Sequence, residues 1–179
     1  MIWGETPGWP VMLADGPVLL RPYRRSDAAA WSEVRTANRA WLAPWESAPP
    51  GPWHELNSTA AYRYVYQDMR RSARRGESMP FAVCLRDPGR PERVVGHINL
   101  GNIVRRAFCS AYVGYWVDSR VAGRGIIPTA LALTVDHAFG PAGLHRVEVN
   151  IRPENKPSRR VVEKLGFREE AYHARYMHI

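Results

Sequence analysis

A chain of 179 residues is long enough to bury a core of its own, and a single domain over residues 1–179 is expected. With 45% apolar and 23% charged residues it falls in the range of soluble globular proteins, and no apolar run reaches the ~18 residues of a membrane helix. The net charge of +8 favours anionic ligands or a ribonucleoprotein neighbour. No nucleic-acid motif accompanies the basic run Arg70-Arg71-Ser72-Ala73-Arg74-Arg75, so sequence-specific nucleic-acid binding is not expected.

The opening Met1-Ile2-Trp3-Gly4-Glu5 lacks the basic region and apolar core of a secretory signal, which points to the cytoplasm. Residues 1–16 read as an irregular segment and residues 18–21 as a short strand ending at Pro22. Ser26 is placed to cap a helix over 27–37, whose apolar stripe includes Ala30, Trp31 and Val34. A tryptophan-rich stretch follows, Ala40-Trp41-Leu42-Ala43-Pro44-Trp45-Glu46, broken at Pro49-Pro50-Gly51-Pro52. Ala61, Val65 and Met69, with Tyr62 and Tyr66 beside them, predict a second long helix over 58–75, ended by Gly76.

The period then changes. Residues 81–85 and 94–100 flank Asp87-Pro88-Gly89-Arg90-Pro91 and predict a β-hairpin; residues 107–117 predict a longer strand. Pro128 suits the first turn of a helix over 128–138. Residues 144–151 read as a strand, 157–165 as a helix closed by Gly166, and Phe167 onward as a last strand. The order β-α-α-β-β-β-α-β-α-β describes a mixed α/β domain. Cys84 and Cys109 read as free thiols, and with the histidines scattered no metal site is expected.

The segment Tyr115-Trp116-Val117-Asp118-Ser119-Arg120-Val121-Ala122-Gly123-Arg124-Gly125-Ile126 lies between a strand and a helix. Its Arg120-x-x-Gly123-x-Gly125 spacing lets backbone N–H groups approach a ligand closely at a helix start, where negative charge is favoured. That suits a pyrophosphate; the alternative is a tight turn and nothing more. No Gly-Lys-Ser/Thr follows, so it is not a nucleoside-triphosphate loop. Asn155 and Ser158, three apart just after a strand, either bond a ligand in a cleft or cap the next helix.

These residues, with Glu163-Lys164-Leu165-Gly166-Phe167, resemble the Gcn5-related N-acetyltransferase (GNAT) family over residues 17–170. Leu42-Ala43-Pro44-Trp45-Glu46, Val113-Gly114-Tyr115-Trp116-Val117 and Arg152-Pro153-Glu154-Asn155 resemble its Rim-type branch, the ribosomal-protein-alanine N-acetyltransferases. The resemblance implies a twisted mixed sheet with helices on both faces and a central strand pair splayed around acetyl-CoA. It implies that the Val117 backbone holds the acetyl and pantetheine end, and that Ala122, Gly123, Arg124, Gly125 and Ile126 wrap the pyrophosphate. Asn155 would bond the pantetheine arm, with Ser158 and Arg159 near the sulfur or phosphates. Pro128 removes one N–H from the helix start, so earlier amides must carry the cradle. Family members complete a last strand beyond the position of Ile179, so that strand is expected to be absent or truncated here.

Acetyl transfer requires positioning of a neutral amine, removal of its proton and protonation of the leaving thiolate. Ser158 is the first candidate for the last role, with Tyr115 as substitute. For the base, Glu148 shares a strand face with Arg146 and Asn150, and an ion pair with Arg146 is the alternative. His97, on a strand face with Asn99, and Glu46, in the tryptophan loop, are the other candidates; packing and solvation are their alternatives. Trp41, Trp45 and Trp53 either cap the core or wall an acceptor pocket, which would then comprise Trp41, Trp45, Glu46 and His97. The expected acceptor is the N-terminal α-amine of a protein or peptide, such as a ribosomal one. A small amine (antibiotic or polyamine) is the second reading, although a polycation would want an acidic cleft and the chain has 17 acidic against 25 basic residues. A non-catalytic CoA-binding or ribosome-associated protein is the third. A monomer and a homodimer are equally compatible with the sequence.

Overall fold

The computed structural model describes residues 6–47, 50–177 and 179. The opening pentapeptide and Pro49 lie outside the described residues. Strand β1 (Leu13–Asp15) forms an antiparallel hairpin with β2 (Val18–Pro22), turning through Gly16, whose φ of +51° suits a residue without Cβ. The segment expected to be irregular therefore contains a strand. Three residues show no period of their own; pairing of Leu13 with Leu20 makes the strand.

Asp27, not Ser26, organises the entry to α1 (Ala28–Ala37). Its carboxylate accepts the Arg24 amide at 2.7 Å and both guanidinium arms of buried Arg21 at 2.8 Å, while Arg21 Nε reaches Glu92 at 2.7 Å. A charge this deep persists only when paired, and removing one partner of such a pair costs about 3–5 kcal/mol. The tryptophan stretch forms short turns, α2 (Arg39–Leu42), a 3₁₀ turn over Ala43–Trp45 and α3 (Trp53–Leu56). Helix α4 (Thr59–Arg74) starts where Ser58 Oγ accepts the Ala61 amide at 3.1 Å, and Gly76 follows it at φ +72°.

Strands β3 (Met79–Leu85), β4 (Arg93–Val104) and β5 (Ser110–Val117) continue the antiparallel meander. The tip between β4 and β5 turns through left-handed Arg106 and Cys109, so β5 begins three residues later than expected. Helix α5 (Ile126–Phe139) begins two residues before its expected start, because Gly125 at φ +80° already sets the turn into it. Strand β6 is only Arg146–Glu148, shorter than the expected 144–151, since its parallel partner β5 is met over three residues alone. After α6 (Lys156–Lys164), no strand follows Phe167 among the described residues.

The result is a six-stranded mixed sheet in the order β1-β2-β3-β4-β5-β6, as the expected α/β class requires. Strand alternation sends Leu20, Phe81, Val83, Ile98, Leu100 and Val113 to one face with Ala130, Leu131 and Ala138 of α5. It sends Leu19, Ala82, Cys84 and Val94 to the other, with Trp31 of α1 and Tyr62 of α4. Helices thus cover both faces, and β3 is buried from end to end. Each fully buried side chain of the Leu131 kind contributes about 1.5–3 kcal/mol.

Candidate active site

The sheet splits between β5 and β6. Their parallel pairing covers Ser110–Arg146, Ala111–Val147 and Tyr112–Glu148, then stops. β5 runs on to Val117 against β4 alone, so its other edge faces a gap bounded by the chain leading into α6. Across that gap the Tyr115 hydroxyl lies 2.8 Å from Ser158 Oγ and donates to the Ser158 carbonyl at 3.3 Å. Burial raises the Tyr115 pKa, more than the bond to Ser158 lowers it, so the phenol keeps its proton. At the end of the gap the Trp41 indole donates to the Val117 carbonyl at 3.1 Å. Arg152 donates to the Pro44 carbonyl at 3.1 Å with its guanidinium 6.0 Å from the Trp45 ring. The tryptophan loop thereby ties down both arms of the split.

The turn after β5 is held from behind. Asp118 is 1% exposed and accepts Asn38 Nδ2 at 3.1 Å, the Arg120 amide at 3.0 Å and Arg120 Nε at 2.9 Å. Burial pushes its pKa up, but the bonds from Arg120 and Asn38 outweigh this and hold it below the usual range. Arg120 also grips Glu33 of α1 at 2.8 and 3.0 Å, so the arginine of the motif braces the turn and does not point into it. Gly123 and Gly125, at φ +79° and +80°, have no atom within 4 Å of where a Cβ would stand. The turn is open to solvent just where the amides of the first turn of α5 lack intrahelical partners, and a negatively charged group fits there. Pro128 falls on the third position of α5, leaving the Ile126 and Ile127 amides in the cradle.

On the opposite face of the sheet lies a cavity of about 670 Å³ between α4 and strands β4 and β5. Its lining includes His97 and Asn99 of β4, Tyr112 and Gly114 of β5, and Asp68 of α4. The register pairs His97 with Trp116, Asn99 with Gly114 and Gly101 with Tyr112, so two glycines flank Asn99 and hollow out the floor. Asn99 Oδ1 is buried there without a hydrogen-bond partner.

The chain has counterparts among known proteins. Residues 18–168 match the family model described as the acetyltransferase (GNAT) domain. The chain belongs to the GNAT acetyltransferase family. In Escherichia coli the ribosomal protein uS5-alanine N-acetyltransferase is 27% identical over 167 residues, 93% of this chain and 83% of the relative. The structure of Mycobacterium smegmatis RimJ in complex with CoA-disulfide superposes with a TM-score of 0.92 at 39% identity, covering 98% of this chain and 84% of that one. A ribosomal-protein-S5-alanine acetyltransferase of Vibrio fischeri follows with a TM-score of 0.82 at 26% identity, over 93% and 88%. The curled mixed sheet is the GNAT fold, and the relatives place the chain beside the Rim-type ribosomal-protein N-acetyltransferases.

Within this GNAT domain the residues singled out from sequence divide into groups. Val117, Tyr115, Ser158 and the turn Ala122 to Ile126 border the split and its far end. Asn155 caps α6, its Oδ1 accepting the Ser158 amide at 3.2 Å, so capping and presentation of Ser158 are one interaction. Arg159 is held by Glu169 at 2.8 Å. Glu148 accepts Arg146 Nε at 2.6 Å, and Arg146 also bonds Glu170. Glu46 clasps Arg35, whose guanidinium lies 4.6 Å from the Trp53 ring and 5.3 Å from that of Trp116. Trp53 is buried and belongs to this packing, whereas Trp41 and Trp45 are 39% and 37% exposed beside the split. His97 lines the cavity with Nδ1 3.1 Å from the Tyr23 hydroxyl; burial, then the Arg35 charge, depresses its pKa to about 4. Tyr112 and Gly114 were not visible as site residues, since only cross-strand register puts them beside Asn99. Among the described residues no cluster of metal-ligating side chains occurs, and no helix is long and apolar enough to cross a membrane.

Proposed function

We propose that this acetyltransferase moves the acetyl group of acetyl-CoA onto the N-terminal α-amine of a protein, a ribosomal protein in the first instance, in the cytoplasm. The observation that carries the reading is the Tyr115–Ser158 pair spanning the split between β5 and β6, with the open Gly123–Gly125 turn at its end. The turn suits the pyrophosphate: glycine removes the side chains that would occupy the cradle, and the start of α5 supplies the amides. Acetyl-CoA brings a thioester carbonyl that a neutral amine attacks without a covalent enzyme intermediate.

The amine's lone pair forms the new C–N bond as the C–S bond breaks, and sulfur leaves with the bonding electrons. Ser158 Oγ gives the departing sulfur a proton and regains one through the Tyr115 hydroxyl, 2.8 Å away, as that hydroxyl takes a proton from solvent and stays neutral. The proton lost by the amine passes to a base, for which Glu148 is the candidate on the acceptor face of the sheet, or to solvent. An α-amine, with a reference pKa near ~7.7–8.0, needs a weaker base than a lysine near ~10.4. Trp41 and Trp45, exposed at the end of the split, are proposed to border the incoming chain, with His97 inside the chamber. Glu46 acts on the acceptor side through Arg35, by holding Trp53 and Trp116 in place.

The test is mass spectrometry of peptides that carry both a free N-terminus and an internal lysine, incubated with acetyl-CoA. Acetylation at the N-terminus supports the reading. Modification of lysine alone, or turnover confined to small amines, overturns the acceptor while leaving the family untouched. Binding of acetyl-CoA with no transfer to any amine would instead identify a non-catalytic CoA-binding protein.

A further inference from the structure

We infer that Asn99 is an acceptor-binding residue, its carboxamide oxygen taking a hydrogen bond from a backbone N–H near the start of the acceptor chain. The inference rests on the proposed transfer to a peptide N-terminus and adds the chamber through which that peptide reaches the thioester.

Three observations converge. First, Asn99 Oδ1 is buried and unpaired at the floor of the 670 Å³ cavity, an arrangement that costs free energy unless a ligand or water supplies a donor. Second, its cross-strand neighbour is Gly114, and a Cβ at Gly114 would meet no atom within 4 Å. No side chain therefore stands over β5 at Gly114, the step that lies between Asn99 and the far side of that strand. Third, Tyr112 and Gly114, which line the cavity, bracket the point where the β5–β6 pairing ends.

Distances decide which part of the acceptor Asn99 meets. Strands lie ~4.8 Å apart, so the path from β4 across β5 to the gap is roughly two spacings, and an extended chain advances ~3.3 Å per residue. An amine placed in the gap thus puts the acceptor's third or fourth residue over Asn99. A backbone amide there supplies the missing donor whatever the side chain. Glu77, at the rim, is engaged by Arg75 at 2.7 Å, and Asp68 lines the α4 wall, so the neutral carboxamide of Asn99 is the acceptor that the strand side of the cavity offers the chain.

Steady-state kinetics with acceptors of graded length, from a single amino-acid amide to a tetrapeptide sharing one N-terminal residue, test this. For the unsubstituted protein KM should fall as the acceptor grows to four residues. In Asn99→Ala that gain should vanish, a loss of about 5- to 10-fold for the tetrapeptide. KM for the single residue and the Kd of acetyl-CoA by calorimetry should not change. Gly114→Leu, which fills open space, should raise KM for the tetrapeptide with the same Kd for acetyl-CoA. Thermal melts confirm that each variant is folded. An unchanged length profile in both folded variants overturns the role of Asn99 and leaves N-terminal transfer standing. An unsubstituted protein that acetylates small amines but no peptide overturns the proposed function itself.

Discussion

The Tyr115 hydroxyl and Ser158 Oγ stand 2.8 Å apart across the opening where β5 and β6 cease to pair. One side chain comes from β5, the other from the first turn of α6, so the contact joins the two walls of the cleft. Both groups are neutral hydroxyls, and burial keeps the phenol protonated. If Ser158 protonates the leaving sulfur, Ser158→Ala should lower kcat by about 10²-fold with little change in the Kd of acetyl-CoA. Tyr115→Phe should lose less, and the double variant should resemble Ser158→Ala, because the two act in series. Additive losses would mean that they act separately. A change in melting temperature with kcat intact would assign Ser158 to the α6 cap alone.

The Gly125 position tests the phosphate cradle. Its φ of +80° disfavours any L-residue, and the space beside it is open. Gly125→Glu brings a negative charge to the start of α5 and should weaken acetyl-CoA by more than about 100-fold, near the limit of detection by calorimetry. Gly125→Asn, which tolerates the left-handed backbone, separates conformation from charge and should retain partial binding. Unchanged affinity in Gly125→Glu would move the pyrophosphate elsewhere.

These two sites differ in how far the sequence revealed them. The glycine turn was readable because positive φ demands a particular residue at fixed spacing, and Ser58 and Gly76 were readable as helix ends for the same local reason. Hairpin β3–β4 announced itself through apolar strands around a Pro-Gly turn. The split between β5 and β6 could not be read from residue types, since Leu144 to Ile151 looks like a complete strand; the family resemblance alone implied the splay. Its length is set by where the partner diverges, a tertiary matter. Asn99 was seen only as a face-mate of His97. Its significance comes from Gly114 lying opposite, and the β4–β5 register that pairs them includes an irregularity between Gly101 and Val104 that spacing does not reveal.

His97 should leave a signature in the pH dependence of stability. Its ring packs against Tyr23 and Trp116, faces the Arg35 guanidinium, and titrates near 4 in the folded chain against ~6.5 unfolded. Between these values the unfolded chain binds a proton that the folded chain does not, so stability falls as pH drops from about 6.5 towards 4. The slope attributable to this group approaches ~1.4 kcal/mol per pH unit within that window and is absent above it. Urea midpoints from pH 4.5 to 7.5 should therefore decline less steeply in His97→Gln than in the unsubstituted protein. Parallel curves would remove His97 from the acid sensitivity.

Glu148 poses the sharpest question about the base. It lies opposite Tyr112 on the face of the sheet that carries the cavity, yet its carboxylate accepts Arg146 Nε at 2.6 Å, and Arg146 bonds Glu170 as well. The guanidinium occupies the carboxylate oxygen that an amine proton would reach, so a catalytic Glu148 must share or release that arginine when the amine arrives. Glu148→Gln keeps the shape and a hydrogen-bond acceptor for Arg146 while abolishing basicity. For a catalytic base, kcat/KM should drop about 10²-fold below the pKa of the acceptor amine. Activity should recover partly at alkaline pH, where the amine arrives already neutral. Arg146→Met removes the competitor and should leave turnover equal or higher at neutral pH, at some loss of thermal stability. If Glu148→Gln instead shifts only the melting temperature, with a pH–rate profile parallel to that of the unsubstituted protein, the carboxylate serves to anchor Arg146. The amine's proton then leaves through solvent, a route open to an α-amine far more readily than to a lysine.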